Sequence, residues 1–349
     1  MPSPKQPGLF RDRKFDALLV TKPENVRYLT GFTGSNGWLL AFPDGHITLF
    51  TDPRYTVQSK QQADCRIIIA KGQLSEAIIS ELKRLKTRRL GFEADHLTVA
   101  RHKAFADFKL KSSTGLIETL RMVKSKDEIA KIRTSVITNS NALEAALKRF
   151  KAGMTESELA AEIDYRSRKL GADGPAFDTI VAAGPNAALP HARPGKTKIG
   201  AGMLLIDMGA FQAGYASDMT RMVHVGAPDI RYKRAYAAVL ESQLAAIDAI
   251  KPGVTAGSID LVTRKVLKRH NLDREFIHST GHGLGLEIHE SPRLGRKDKT
   301  KLEPGMVITV EPGIYRERWG GIRIEDTVLV TETGCEILTP TSKELRQIG

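Results

Sequence analysis

The sequence predicts an α+β fold in two domains, 1–122 and 123–349. Three observations carry this. The 349 residues exceed what one hydrophobic core usually supports. Short β-rich runs alternate with helical patterns from about residue 15 to 110. A stretch beginning at Lys151 recurs in pattern at Lys251.

In the first domain "FDALLV", "WLLAF", "HITLFTD" and "RLGFE" read as strands, and "QLSEAIISELKRL" and "VARHKAFADF" as helices. Around "LKSSTGLIETLRMVKSKDE" the pattern breaks into a polar crossing, and "DEIAKIRTSVITNSNALEAALKRF" then predicts a long amphipathic helix. The repeat follows. "KAGMTESELAAEIDYRSRKLGADGPAF" and "KPGVTAGSIDLVTRKVLKRHNLDREF" both run Lys-x-Gly-apolar-Thr, then helix, then a polar break before Phe. Thr155 and Glu158 have capping-box spacing. A duplicated α+β unit implies a pseudo-twofold domain whose site lies between its halves.

Composition narrows the function. With 41% apolar residues the chain can pack an ordinary core. The net charge of +13 raises nucleic acid as a partner, but the sharpest basic run, "KRLKTRR" at 83–89, follows a helical pattern and has no interleaved aromatic. It reads as the solvated end of a surface helix, so no nucleic-acid partner is expected. The first twenty residues lack the apolar core of a signal peptide, and no run approaches a membrane span, so a cytoplasmic location and no membrane contact are expected. Cys65 and Cys335 are too few for a disulfide framework.

The chemistry gathers in the second domain. "GMLLIDMGAFQAGYASDMTRMVHV" reads as an antiparallel hairpin turning at "FQAG". Counting outward from Gln212 and Ala213 places Asp207 opposite Asp218, within a residue or so, with Cβ atoms about 5 Å apart. Facing like charges call for compensation, and a divalent cation would supply it. Downstream, Glu311 ends a β-rich run, and Glu325 sits within another strand whose alternation puts Arg323, Glu325 and Thr327 on one face. Acidic residues inside runs this apolar are seldom unpaired. "STGHGLGLEIHES" adds two histidines seven apart, in a run too glycine-rich for a helix and without a P-loop lysine. Two Asp, two Glu and one histidine make a hard ligand set suited to Mn²⁺, Co²⁺, Fe²⁺ or Zn²⁺, with carboxylates able to bridge two ions. That predicts a dinuclear hydrolase.

In the order Asp207 and Asp218 ("DMGAFQAGYASDMTR"), His282 ("HSTGHGLG"), Glu311 ("VEPGIY") and Glu325 ("GGIRIED"), the chain resembles the pita-bread metallopeptidases of the creatinase/methionine aminopeptidase fold. Its branch is that of Xaa-Pro aminopeptidases and Xaa-Pro dipeptidases (prolidases). "NVRYLTGFTGSNGWLL" and "TDPRYTVQ" look like that branch's N-terminal domain, so the resemblance spans nearly the whole chain. It implies an N-terminal creatinase-like α/β domain and a C-terminal pseudo-twofold pita-bread catalytic domain.

The resemblance also implies two divalent ions per subunit, with Mn²⁺ placed ahead of Co²⁺, Zn²⁺ and Fe²⁺. Asp207 would chelate one ion, Asp218 and Glu325 would bridge both, and His282 and Glu311 would complete the shells. Glu311 would accept the proton, His289 would stabilise the oxyanion, His191 and His278 would position substrate or shuttle protons, and Arg323 would support a ligand carboxylate. The expected substrates are small peptides with proline second. The first reading is an Xaa-Pro aminopeptidase, toward which "GFTGSNG" leans, and the alternative is an Xaa-Pro dipeptidase. A dipeptidase must capture a free carboxylate, for which Arg293, Arg316 and Arg318 are candidates. A homodimer is implied by the same resemblance. Metal-free creatinase and non-enzymatic binding modules share the fold, but all five ligand positions are kept here.

Overall fold

In the computed structural model, Phe10 and residues 15–348 are described. The chain folds as two compact units, Met1–Arg121 and Met122–Gly349.

The first unit is built on one sheet. Strands β1 (Ala17–Val20), β2 (Gly37–Ala41), β3 (Ile47–Thr51), β4 (Arg66–Ile69), β5 (Arg89–Glu93) and β6 (Lys109–Ser113) lie in the order β4-β3-β2-β1-β5-β6. The β1-β2-β3 meander is antiparallel; β4, β5 and β6 join in parallel. Helices α1 (Pro23–Thr30), α2 (Thr56–Gln62), α3 (Leu74–Arg84), α4 (Val99–Lys103) and α5 (Leu116–Met122) complete it. Leu74, Ile78 and Leu82, one face of α3, pack with Ala17, Leu19, Leu40, Phe50 and Leu90 of the sheet. The stretch expected to be a polar crossing forms β6 and α5 instead. As an edge strand, β6 turns Lys109 and Lys111 to water, which hides its strand character in the sequence. The 83–89 run does end a helix: Lys83 pairs with Asp107, Arg84 with Glu81 and Arg89 with Asp16.

The second unit opens with α6 (Lys126–Leu147), whose first turn is closed by a Ser125/Glu128 capping box, and α7 (Glu156–Lys169), which carries the expected Thr155/Glu158 box. Strands β7 (Gly174–Pro175), β8 (Ile180–Ala183), β9 (Gly202–Met208), β10 (Ala210–Gln212), β11 (Tyr215–Ala216) and β12 (Met219–Val225) follow. Then come α8 (Ile230–Asp248), α9 (Ala256–Arg269), β13 (His282–Gly283), β14 (Glu290–Arg293), β15 (Val307–Val310), β16 (Gly313–Arg316), β17 (Gly320–Arg323), β18 (Asp326–Val330), β19 (Cys335–Ile337) and β20 (Arg346–Ile348). One sheet runs β20-β12-β9-β8 and another β14-β13-β15-β18-β19.

The repeat is a structural duplication. Each half lays a helix pair on its own sheet: Leu143, Ala146, Leu159 and Ile163 against Val181, Leu204, Ile206 and Val223, and Ala246, Ile250 and Ile259 against Ile308, Val310 and Val328. Correspondence reaches single residues. Gly153 and Gly253 both take φ of 86°, and Gly171 and Asn271, ending α7 and α9, are both left-handed. Thr155 bridges Lys198 as Thr255 bridges Lys301.

The hairpin register differs from expectation. Ala213 (φ 50°) and Gly214 (φ 74°) form the two-residue turn, Gln212 pairs with Tyr215, and Asp207 therefore faces Thr220. Asp218 lies two residues from that position, diagonal to Asp207 and on its face of the sheet. Glu325 also departs from the prediction: it occupies the break between β17 and β18 rather than a strand interior.

Candidate metal centre

Two strand ends from each half converge on one buried cluster. Asp207 lies near the end of β9, and Glu311 follows the last residue of β15; Asp218 and Glu325 each immediately precede β12 and β18. Cross-links between the halves fix these ends: the Glu325 amide donates to the Thr220 carbonyl at 3.2 Å, and the Thr327 hydroxyl donates to the Asp218 carbonyl at 2.8 Å. Asp218, Glu325 and His282 each offer a ligand atom, all within 4.8 Å of one another. His282 Nε2 lies 3.5 Å from Asp218 Oδ2 and 3.6 Å from Glu311 Oε1.

The glycine-rich run around His282 is explained by crowding. A Cβ on Gly281 would collide with the Thr309 carbonyl, and one on Gly283 with that of Ser291, so β13 is threaded tightly between β15 and β14. His282 Nδ1 lies 2.9 Å from the Gly283 carbonyl and so carries its proton, which leaves the Nε2 lone pair aimed at the carboxylates.

Arg323 is the cationic partner of the group. Its Nη2 donates to Asp207 Oδ2 at 2.5 Å, its Nε to Thr220 Oγ1 at 3.0 Å, and its Nη1 to the Tyr315 hydroxyl at 2.7 Å. Thr220 passes the contact on, donating to Glu325 Oε2 at 2.6 Å. Arg323 Nη1 also reaches the Pro190 carbonyl, anchoring the exposed loop that carries His191. His278 is held by protein on both nitrogens, with Nδ1 on the Ser279 carbonyl and Nε2 accepting from Tyr315. The His289 ring meets that of His282 edge-on, with centroids 4.4 Å apart. Every expected site residue thus lies in or around one cluster. Thr220, Thr309 and Tyr315 were not singled out, although Thr220 and Thr309 have the two-residue spacing from Asp218 and Glu311 that shares a strand face.

Electrostatics define what the cluster can do. Burial first, then repulsion among the carboxylates, holds Asp218 and Glu325 well above the usual range; burial, with Asp207 adding to it, raises Glu311 to about 7. Burial opposes the charge on Arg323, but Tyr315 and the surrounding carboxylates hold its pKa above its ordinary value. Burial, and then the His289 charge, lowers His282 to about 4, keeping its imidazole neutral. Burial likewise depresses His278 to about 4 and lowers His289, in both cases aided by neighbouring His191 or Arg groups.

The residues fit divalent cations. Asp207 Oδ1 is buried with no hydrogen-bond partner, the His282 lone pair is unprotonated, and four carboxylates surround one guanidinium. A cation binding there would displace protons. Glu311 keeps, in the folded metal-free protein, a proton that the unfolded chain loses above about 4.5. Metal-free stability should therefore fall as pH rises from about 4.5 through 7, while metal affinity rises. The gain in Tm on adding Mn²⁺ should be several degrees larger at pH 7.5 than at pH 5.5. Equal gains in thermal scans would contradict this electrostatic account.

Comparison with known proteins agrees with the geometry. The Creatinase/Prolidase N-terminal domain matches residues 8–123 and Metallopeptidase family M24 matches residues 130–332. An Xaa-Pro dipeptidase of Pyrococcus furiosus is 37% identical, with 96% of each chain covered. Among solved structures, an Xaa-Pro dipeptidase from Bacillus anthracis superposes with a TM-score of 0.94 at 38% identity, covering 97% of each chain. An X-Pro aminopeptidase from Thermotoga maritima gives 0.90 at 36% identity, covering 96% of this chain and 98% of its own. The pita-bread fold is thus common to these proteins, and the family implies divalent metal ions at the buried Asp/His/Glu cluster. Among the described residues no helix is long and apolar enough to cross a membrane. With 58% of its length matched, the chain belongs to metallopeptidase family M24, its catalytic unit preceded by a creatinase/prolidase N-terminal domain.

Proposed function

We propose that this enzyme is an Xaa-Pro dipeptidase, hydrolysing the peptide bond before the proline of a dipeptide at the cluster of Asp207, Asp218, His282, Glu311 and Glu325. The observation that carries the peptidase reading is this buried set of four carboxylates with a neutral imidazole. The names of the Pyrococcus and Bacillus relatives favour the dipeptidase over the aminopeptidase, which was the first expectation.

Two divalent ions, Mn²⁺ first among them, would be held by these five residues. Bound ions would polarise the scissile carbonyl and acidify a water. The chain's own groups supply the rest. Glu311, partly buried beside His282, takes the proton. His289 faces the carbonyl and donates to the developing oxyanion. His191, on its exposed loop, positions substrate. His278 acts through Tyr315 on Arg323, which in turn orients Asp207. The same reading assigns residues 1–122 and 123–349 to the two domains, and includes a homodimer and a cytoplasmic location.

A dipeptide places a carboxylate next to the scissile bond, and Arg293 is the cation suited to meet it. It is the register partner of His282, and its charge acts on His282, His289 and Glu311. Arg316 is paired with Glu275 at 2.6 Å, and Arg318 lies exposed in a turn with φ of 64°. Replacing Arg293 with Met should raise KM for an Xaa-Pro dipeptide by about 10- to 100-fold, the loss of one charged hydrogen bond, and leave longer peptides little affected. Wild-type cleavage of Xaa-Pro dipeptides well above Xaa-Pro tripeptides is the expected companion result. Preference for the longer peptides would return the aminopeptidase.

A further inference from the structure

The geometry points to Arg221, together with Asp326 and Lys343, as a positioning group that ties the C-terminal segment to Glu325, one of the carboxylates that would hold metal. This rests on the reading of Glu325 as a metal ligand. Arg221 is 3% exposed and follows Thr220, the residue that hydrogen-bonds Glu325. All its donor atoms are spent behind the centre. Nη1 donates to the carbonyls of Thr220 at 3.0 Å and Glu325 at 2.5 Å; Nη2 donates to Asp326 Oδ1 and the Thr341 carbonyl, both at 2.7 Å; Nε donates to the Ser342 carbonyl at 3.1 Å.

The peptide on either side of Glu325 is thereby clamped. Its amide is held by Thr220, its carbonyl by Arg221, and the next side chain, Asp326, by three donors. Asp326 is fully buried; besides Arg221 it accepts from Gln243 at 2.8 Å and from Lys343 Nζ at 2.7 Å. Lys343 also donates to Gln243 Oε1, and its carbonyl accepts from Tyr236. A fork-shaped guanidinium is needed, because five donors in fixed directions satisfy four carbonyls and one carboxylate at once. Lysine cannot reproduce that pattern.

Rigid burial alone does not require this arrangement. An apolar contact could back β12, whereas the network consumes one buried cation, one buried anion and a second, partly exposed cation, a costly solution unless position matters. The atoms it fixes are the backbone on both sides of one ligand. Weakening it should loosen Glu325 and lower metal affinity without touching substrate groups, as loss of outer contacts at metal sites does.

The test is calorimetric titration of the metal-free full-length protein with Mn²⁺, for wild type, Arg221→Lys, Lys343→Met and Glu325→Gln. Arg221→Lys keeps the charge but loses the fork, and Lys343→Met, at a partly exposed position, guards against a variant that fails to fold. Both are expected to bind Mn²⁺ about 10- to 100-fold more weakly, with kcat recovering toward wild type at excess Mn²⁺ and KM for substrate unchanged. If wild type binds Mn²⁺, Glu325→Gln does not, and folded Arg221→Lys and Lys343→Met both titrate within twofold of wild type, the positioning role is overturned while the metal reading stands. If Glu325→Gln binds as wild type does, or wild type binds nothing, both fall.

Discussion

Glu325→Gln should lower peptidase turnover by about a thousandfold while leaving the metal-free protein as stable as wild type, or more so. The two halves of this expectation have one cause. Glu325 is 2% exposed and sits among Asp207, Asp218 and Glu311, and burial with their repulsion holds its carboxyl well above the usual range. Without cations the charge is therefore a burden, and a neutral amide of the same shape removes it. The amide oxygen, placed where Oε2 sits, can keep the hydrogen bond from Thr220. With cations the balance reverses, since a carboxylate proposed to hold them is lost. A bound metal supplies several kcal/mol of transition-state stabilisation, and each 1.4 kcal/mol is about tenfold in rate. Activity against an Xaa-Pro dipeptide, Mn²⁺ stoichiometry and metal-free Tm together decide the matter. A variant that keeps both its Mn²⁺ and its rate would remove Glu325 from the centre. A metal-free Tm lower by many degrees would show that its charge was structurally needed.

That cluster was largely legible in the sequence because acidic residues in apolar strands are conspicuous. Asp207, Asp218, Glu311 and Glu325 all stand at strand ends, where the backbone pattern alone brings them to one edge. What surrounds them was not legible. The register of the hairpin depended on Ala213 adopting φ of 50°, a conformation its side chain does not advertise. Tyr315, Arg221 and Asp326 act through partners as much as 121 residues away, and no local pattern encodes such pairings. His278 could be singled out by its motif, but only the structure shows both nitrogens committed to Ser279 and Tyr315. In the first unit the interior strands β1 and β2 announced themselves by largely apolar runs, and β3 and β5 by short β-rich runs with apolar centres. The polar edge strand β6 did not, because its pattern alternates toward water.

The two histidines of the glycine-rich run should fail in different ways when replaced. His282 has one nitrogen fixed on the Gly283 carbonyl and the other between Asp218 and Glu311. Its ring is kept neutral by burial and by the nearby His289, so at neutral pH no proton competes for that lone pair. His282→Ala should weaken Mn²⁺ binding by more than about a hundredfold, beyond the 10- to 100-fold expected for outer contacts, and excess Mn²⁺ should restore part of the rate. His289, exposed and edge-on to His282, makes no hydrogen bond through its ring among the described residues. Its donor is thus available to a substrate oxygen. His289→Ala should keep full metal content and lose about 10²- to 10³-fold in kcat, the effect of deleting one oxyanion donor, with no rescue by added metal. Metal analysis beside steady-state kinetics separates the two. Loss of Mn²⁺ from His289→Ala would move it into the ligand set, and an unchanged kcat would remove it from the reaction. The double variant should be no slower than the weaker-binding single variant at low Mn²⁺, because an oxyanion donor has nothing to stabilise where the carbonyl is no longer activated.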